Sequence, residues 1–359
     1  MKKMFTFAAM ACVALASCTK NESVEVPQQD VITFAEPVTA VNTKAVEICE
    51  NYPTNEKFAV FAHYFTGNFK GVHNGTLYMN DVETSYKETN GLHTWMSDVT
   101  YYWPKQGTLT FAAYSPAKVD NVVYNGSGLH FNGFEVSTNS TEQFDLLFSE
   151  RSYNQTKDAM KVGAPYDGVE LKFNHALSSI LFTACVDAAD YAANNFKIAL
   201  NKIYIDKVYS KANFDQGLEN ADGSVTKPVD QHFGWDGHSI PVEYVAYNSS
   251  MILGTTPAYT SNLTGVGKNN QQNSNLILLP QTLDNGQVIK IEYTLYNENV
   301  VPAAVIKQTA EFPLETFTSW ERGKRYTYNF KFGFDKIYFD PVVTPWDSVT
   351  VTPDLNIGR

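Results

Sequence analysis

The feature of this sequence that most constrains its fold is the recurrence of apolar residues at every second position. It is clearest in Val169–Leu177, Ile289–Leu295 and Tyr326–Phe334, where apolar side chains alternate with charged or polar ones. Successive side chains of a strand point to opposite faces, so each segment predicts a strand with one buried and one solvated face, as in antiparallel sheets. Helical periodicity is nearly absent, and an all-β protein is therefore predicted.

Pairs of asparagine or aspartate followed by glycine recur between these segments and favour tight turns. They are Asn125-Gly126, Asn132-Gly133, Asp222-Gly223, Asp236-Gly237 and Asn285-Gly286. The alanine-rich stretch from Asp187 to Asn195 is either a short helix or a loop.

The N-terminus carries the pattern of a lipoprotein signal. Two lysines precede the apolar run Met4–Leu15, which is shorter than the roughly 20 residues that a membrane-spanning helix needs. Small residues then lead to Cys18, which fits the lipoprotein signal peptidase. The sequence thus predicts a signal peptide at residues 1–17, cleavage between Ser17 and Cys18, acylation of the Cys18 thiol, and a flexible tether at residues 18–30.

Charge and length limit what the exported chain can be. Removal of the signal with its two lysines takes the formal net charge from -11 to -13, which argues against a nucleic-acid partner. The full chain has 359 residues, and removal of the 17-residue signal leaves 342, which is still too many for one ordinary core. A turn-rich break at residues 162–168 places the predicted domain boundary, giving an N-terminal domain at 31–165 and a C-terminal domain at 166–359.

After export two cysteines remain, Cys49 and Cys185. An exported protein can form a disulfide, but the sequence is equally compatible with two separately buried thiols. No cysteine pair has metal-ligand spacing, and the sequence predicts no metal site and no cofactor.

The chain lacks the common catalytic motifs, including the Gly-x-Ser-x-Gly elbow, His-Glu-x-x-His and phosphate-binding loops. His232 and His238 flank a segment with Trp235, and we favour a turn held by the indole over a metal site. His175 interrupts an apolar strand face and is interpreted as a hydrogen-bonded core histidine.

Two features could serve sugar chemistry. Acidic pairs such as Asp145 with Glu150 could act in a glycosidase, but among 38 acidic residues some pair meets the required spacing by chance. Tryptophans could stack on sugars, yet each lies among apolar or strand residues and is interpreted as core: Trp95, Trp103, Trp235, Trp320 and Trp346.

Several segments, in this order, carry a resemblance: Val31–Phe34, Phe58–Tyr64, Tyr102–Pro104, Leu109–Pro116, Asp145–Phe148, Leu171–Ile180, Leu278–Gln281 and Trp320–Tyr328. Together they resemble the fimbrillin (Mfa-like) family of Bacteroidales envelope lipoproteins, over essentially the whole chain after the signal. The resemblance implies two tandem transthyretin-like antiparallel β-sandwich domains without enzymatic activity. It also implies that a protease removes the lipidated N-terminal strand, after which a strand of another subunit fills the vacated groove.

Carried over to this chain, the resemblance implies removal of Val31 to about Ala40 by a cut between Lys44 and Ala45. The better-known family members carry arginine there, and Lys44 could instead be an ordinary solvated loop residue. The donor strand would come from Val349–Thr352, although this tail is short, which would also suit a tip or anchor subunit.

The function expected is therefore that of a structural subunit or adhesin of a surface fimbria, anchored at least transiently in the outer membrane by lipid. Its partners would be other fimbrial subunits, with a host or bacterial surface ligand also possible. The alternatives are a surface glycan-binding lipoprotein that uses its tryptophans as a platform, and a hydrolase.

Overall fold

A computed structural model describes most of the chain after residue 30. The described ranges are 31–41, 48–68, 75–89, 92–125, 128–159, 168–219, 225–226, 234–259, 276–284 and 286–346. The predicted signal, the tether with Cys18, the Lys44-Ala45 bond and the C-terminal tail after Trp346 lie outside these ranges. No helix in the described ranges is long and apolar enough to cross a membrane.

The first sheet is built mainly from the N-terminal half of the chain. Its strands are β1 (Val38–Val41), β2 (Ile48–Asn51), β3 (Lys57–Phe65), β4 (Thr76–Thr89), β5 (Leu92–Ser97), β6 (Thr108–Ser115), β9 (Leu147–Ser149), β10 (Ser152–Gln155) and β11 (Lys172–His175). The order across it is β2-β1-β11-β9-β6-β3-β4-β5, with β10 also pairing with β6.

Two further sheets contain most of the remaining strands. The second sheet comprises β12 (Ser178–Val186), β17 (Ala258–Tyr259), β18 (Leu276–Leu278), β23 (Lys324–Phe332) and β24 (Ile337–Pro345). The third comprises β7 (Val122–Asn125), β8 (Gly128–Glu135), β13 (Phe196–Asp215), β16 (Trp235–Ile252), β20 (Val288–Asn297) and β21 (Ala304–Pro313). Their orders are β17-β12-β23-β24, with β18 on β12, and β21-β20-β13-β8-β7, with β16 on β13.

Smaller elements complete the described part of the chain. They are two short strand pairs, β14 (Leu218–Glu219) with β15 (Val225–Thr226) and β19 (Gln281–Thr282) with β22 (Ser319–Trp320), a helix α1 (Ala188–Asn194), and two 3-10 turns (Lys157–Ala159 and Leu314–Thr316).

Two apolar cores hold the sheets together. The larger core contains side chains from all three sheets, among them Phe61, Phe182 and Ile203, so the sheets pack face to face in a sandwich-like arrangement. The smaller core lies on the other face of the first sheet and includes Phe58 and Phe111. The first sheet is therefore covered on both sides, and every residue of β6 is buried.

The predicted all-β class and its alternating strands are confirmed. In β23 the aromatic residues at 326, 328, 330 and 332 are buried, while the residues between them are partly exposed. Around β11, Val169, Leu171 and Phe173 are buried and Glu170 is exposed. Among the described strands two pairings are nevertheless parallel, β1 with β11 and β12 with β23, so the first and second sheets are mixed. The described pairings of the third sheet are all antiparallel.

Of the two alternatives for residues 187–195, the helix is confirmed. The Asp187 carboxylate caps α1 by accepting hydrogen bonds from the backbone N–H groups of Ala189 and Asp190. These N–H groups lower the pKa of Asp187. The helix ends at Asn195, which adopts the left-handed conformation common after a last turn.

Two of the predicted turns are wrong. Asn132-Gly133 lies inside β8 and Asp236-Gly237 inside β16, each beside a register shift against β13. Both glycines have φ near +60°, which marks β-bulges. Asn213 of β13 joins them: its Oδ1 accepts from the Gly133 N–H at 2.8 Å, and its side chain lies against Gly237.

The domain boundary predicted between residues 165 and 166 stays a prediction. Strands on one side of this boundary pair with strands on the other side. β11 lies after this point but pairs with β1 and β9 of the first sheet. β8 lies before it but pairs with β13 of the third sheet. Each part of the chain thus contributes a strand to a sheet formed mainly by the other.

Cys185 is buried and carries a free thiol, and the disulfide with Cys49 is therefore not formed. Burial raises the pKa of this thiol. Cys49 lies in β2, opposite Ala40 of β1.

Candidate functional site

The candidate site is the groove of the first sheet that residues 31–41 fill; we call these residues the N-terminal segment. The segment lies between β5 and the residues that precede β11, and it continues into β1, which pairs with β11. Its backbone hydrogen bonds, donor first, are Ile32 to Tyr101 (2.8 Å), Phe34 to Trp95 (2.9 Å), Ala35 to Val169 (3.0 Å), Val38 to Leu171 (3.2 Å) and, in return, Val169 to Thr33 (2.9 Å). The segment thus pairs with the sheet through isolated bridges at Val31 and Phe34 and as a regular strand from Val38 onward.

Side chains of the segment complete the smaller core. Ile32, Phe34 and Ala35 are at most 4% exposed. The Phe34 ring packs edge-on against Phe58 and Phe111, with centroid distances of 5.9 and 5.7 Å. Full burial of such a side chain stabilises a fold by about 1.5–3 kcal/mol, so the segment contributes directly to the core.

Aromatic side chains form the wall of the groove. Tyr52 lies at its centre, 5.2 Å from Trp95 and 5.7 Å from both Phe58 and Phe173, measured between ring centroids. Its hydroxyl shares a 2.6 Å hydrogen bond with the Ser115 hydroxyl. Burial raises the pKa of Tyr52 far above its usual value, so the hydroxyl stays neutral.

One wall position depends on glycine. A Cβ atom on Gly168 would lie 2.6 Å from backbone atoms of Thr33 and Phe34. Only a residue without a side chain lets the two backbones approach this closely. The close contact sits beside the reciprocal bonds between Val169 and the segment, and it fixes how deeply the segment lies.

The groove also holds an unpaired polar atom. Trp95 is fully buried, and its indole Nε1 has no hydrogen-bond acceptor among the described residues. A buried unpaired donor costs about 1–3 kcal/mol. The segment therefore fills the groove with apolar groups but leaves this donor unsatisfied.

The predicted site residues fall outside the described ranges. These are Ser17 and Cys18, proposed for signal cleavage and acylation, and Lys44 and Ala45, proposed for maturation. In the chain, the Lys44-Ala45 bond connects the segment that fills the groove to β2. These four positions stay predictions.

The interpretation of His175 as a core residue is confirmed. Its Nδ1 bonds Asp145 Oδ2 at 2.7 Å, and its ring stacks on Trp346 with centroids 4.3 Å apart. Asp145 is thereby held by a histidine, while Glu150 lies 3.9 Å from the Lys172 ammonium group. The two acidic residues therefore have different partners.

The five tryptophans and His238 lie in structural surroundings in the described part of the chain. All five tryptophans are core residues, between 0 and 7% exposed, so none offers a ring face to a sugar. His238 Nε2 bonds the Pro280 carbonyl oxygen at 2.7 Å, and His232 is not among the described residues. In the described part of the chain no group of three or more His, Cys, Asp or Glu residues could hold a metal ion.

Sequence reasoning missed the groove wall itself. Tyr52, Trp95 and Gly168 lie far apart in the chain, and no local pattern connects them. A glycine directly before an alternating strand was the one available signal, but it was interpreted as part of a turn-rich break.

The fold and the groove define an all-β, sandwich-like protein in which a segment near the N-terminus completes the smaller core and pairs with the first sheet. Residues 43–346 match the model of the fimbrillin-like family, and the chain belongs to this family. No curated protein sequence matches it.

Among solved structures, the fold likeness rests on one Bacteroides protein with a TM-score above 0.5. A fimbrial protein from Bacteroides vulgatus ATCC 8482 is 16% identical, with a TM-score of 0.59, over 89% of this chain and 100% of that one. A proposed cell adhesion protein from Bacteroides uniformis ATCC 8492 is 13% identical, with a TM-score of 0.48, over 89% of this chain and 100% of that one. Membership of the family supports a fimbrial subunit or adhesin at the cell surface.

Proposed function

We propose that this chain is a structural subunit or adhesin of a surface fimbria, exported as a lipoprotein through Cys18 and assembled by strand exchange. The observation that carries the proposal is the N-terminal segment: it fills a groove as a strand, and a single chain connection containing Lys44 joins it to the rest of the protein. Cleavage after Lys44 would free the segment, together with its lipid.

Loss of the segment would leave a groove that cannot stay empty. The carbonyl oxygens of Tyr101, Trp95 and Leu171 and the N–H of Val169 would lose their partners. The apolar wall beneath Phe34 would become exposed to water. Unpaired backbone groups and exposed apolar surface together favour the addition of another strand, which supplies main-chain bonds and alternate side chains.

The donor we propose is the C-terminal tail of another subunit, in which valine and threonine alternate over Val349–Thr352. The tail follows Trp346, whose N–H donates to the Gly323 carbonyl oxygen at 3.0 Å and whose ring stacks on His175. These contacts hold the base of the tail on the protein. A subunit whose tail is too short to donate would instead terminate the fimbria as a tip or anchor.

The proposed partners are other fimbrial subunits and, before cleavage, the outer membrane through acyl chains on Cys18. Two or three such chains would hold the protein there at about 0.8 kcal/mol per buried methylene group. We propose a structural and not a catalytic role, which the family membership supports.

Limited digestion with trypsin tests the assembly. We expect wild-type protein, and a Lys44→Arg variant as matched control, to lose the N-terminal segment and form a ladder on a denaturing gel run without boiling. Lys44→Gln, which trypsin does not cut at this position, should remain monomeric. Monomer alone at every extent of trimming would contradict strand exchange, whereas a ladder from Lys44→Gln would contradict only the cleavage position.

A further inference from the structure

β21 forms a long edge of the third sheet, and up to Pro313 it lacks the register shifts and prolines that protect the other long edges of the second and third sheets. β21 pairs with β20 in ten consecutive residue pairs without a register shift, and no strand in the described part of the chain lies on its other side. Its residues 305–309 are exposed. A long, regular edge with unpaired backbone groups is a template for pairing with another strand.

The other long edges of these two sheets are protected. β16 pairs with β13 through four register shifts and carries Pro241. In β24, the bond from the Trp346 N–H to the Gly323 carbonyl oxygen shows that even-numbered residues bond toward β23. The backbone groups of the odd-numbered residues therefore point away from the sheet. Two of these residues, Pro341 and Pro345, have no N–H to donate.

The hydrogen bonds of β21 with β20 identify the backbone groups that this edge exposes. The Leu314 N–H continues the ladder to the Gln287 carbonyl oxygen at 3.1 Å, so even-numbered residues of β21 bond toward β20. Because hydrogen-bonding direction alternates along an antiparallel strand, the N–H and C=O groups of Val305, Lys307, Thr309 and Glu311 point away from the sheet. Unlike the edge of β24, this edge is free of proline until Pro313.

We propose that β21 pairs with β21 of a second copy of this chain, antiparallel and centred on Thr309. In that register Lys307 lies opposite Glu311 of the second copy, and Glu311 opposite its Lys307, so both charged pairs attract. Lys290 lies 3.7 Å from Glu311 within each copy and would join the same ionic network. Ile306 would meet Phe312 on the inner face.

In this register the outward backbone N–H and C=O groups can pair, as well as the charged side chains. The pairs 307 with 311, 309 with 309 and 311 with 307 all join outward-facing residues, as hydrogen-bonded pairs must. Val305 and Ile306, 58% and 40% exposed, would be covered at the two ends of the interface. The third sheet would become continuous across two subunits, and this pairing does not depend on removal of the N-terminal segment.

Cysteine cross-linking in the uncleaved full-length chain tests the pairing. Hydrogen-bonded partners have Cα atoms about 5.5 Å apart, within disulfide range, so Thr309→Cys should form a disulfide dimer on mild oxidation. Thr344→Cys is the matched control, an exposed threonine on the proline-protected edge, and should stay monomeric. A Thr309→Cys protein that stays monomeric, or equal cross-linking by both variants, would overturn the proposal.

A charge exchange then tests the register. In the Thr309→Cys background, Lys307→Glu and Glu311→Lys each place two like-charge pairs across the interface and should each slow cross-linking by about tenfold. An equimolar mixture of these two variants restores both attractive pairs and should cross-link at close to the parent rate. A mixture as slow as either variant alone would overturn this register.

Discussion

At the residue scale, a few side chains control the fit of the N-terminal segment. Gly168 allows the close approach of two backbones, Phe34 fills the apolar floor, and Trp95 leaves a buried N–H without an acceptor. The first two favour the uncleaved form, and the third is a cost that a different strand could relieve. The balance between them sets how firmly the segment is held.

Substitution of Gly168 tests this balance. We expect Gly168→Ala to destabilise the uncleaved protein by about 2 kcal/mol, because the new methyl group overlaps backbone atoms of the segment. Denaturant unfolding measures the change, with Gly254→Ala as control, since a Cβ there meets nothing within 4 Å. A Gly168→Ala protein as stable as wild type would show that the segment does not lie against this position.

At the element scale, β11 connects the parts of the proposed mechanism. It pairs in parallel with β1, which leaves with the segment, and antiparallel with β9, which stays. At its end His175 stacks on Trp346, directly before the C-terminal tail. One strand thus borders the proposed acceptor groove and contacts the base of the proposed donor.

Amide hydrogen exchange can follow the groove directly. The N–H groups of Val169 and Tyr52 donate to Thr33 and Pro37 of the segment, so both should exchange rapidly after trimming and regain protection on assembly. The N–H of Val136, which donates to Ser210 far from the groove, should remain protected throughout. Persistent protection of Val169 in trimmed monomer would mean that another part of the chain closes the groove.

At the scale of the whole molecule, stability rests on aromatic side chains buried in two cores. Burial raises the pKa values of several tyrosines above the usual value near 10: Tyr52, Tyr114, Tyr244, Tyr326 and Tyr328 strongly, and Tyr124 to about 12. These hydroxyls remain protonated in the folded chain at a pH where the unfolded chain begins to ionise.

The protein should therefore lose stability in alkali. A raised folded-state pKa means that the stabilisation is fully present below pH 10 and decreases as pH rises above it, because the unfolded chain then binds fewer protons. We expect Tm to fall by on the order of 10 °C between pH 9 and pH 11. Calorimetry measures Tm, and tyrosinate absorbance measures the ionisation of the tyrosines. Ionisation of these tyrosines in the folded state without loss of Tm would contradict the prediction.

Local patterns in the sequence predicted a large part of this structure. An alanine-rich stretch left a helix and a loop as alternatives for residues 187–195. Alternation of apolar residues identified the strands, and the apolar surroundings of His175 and the tryptophans predicted their burial. Each of these properties depends on residues within a few positions of one another. They could therefore be inferred without knowledge of which strands pair.

Only the tertiary structure decided what depends on distant partners. Asn132-Gly133 and Asp236-Gly237 have the composition of turns, but pairing with β13 makes them bulges inside long strands. The covering of the first sheet on both faces, the parallel pairing of β1 with β11 and the open edge at β21 depend on strand order. The residues themselves specify which segments are strands and which faces are apolar; the groove exists because distant segments bury those faces together.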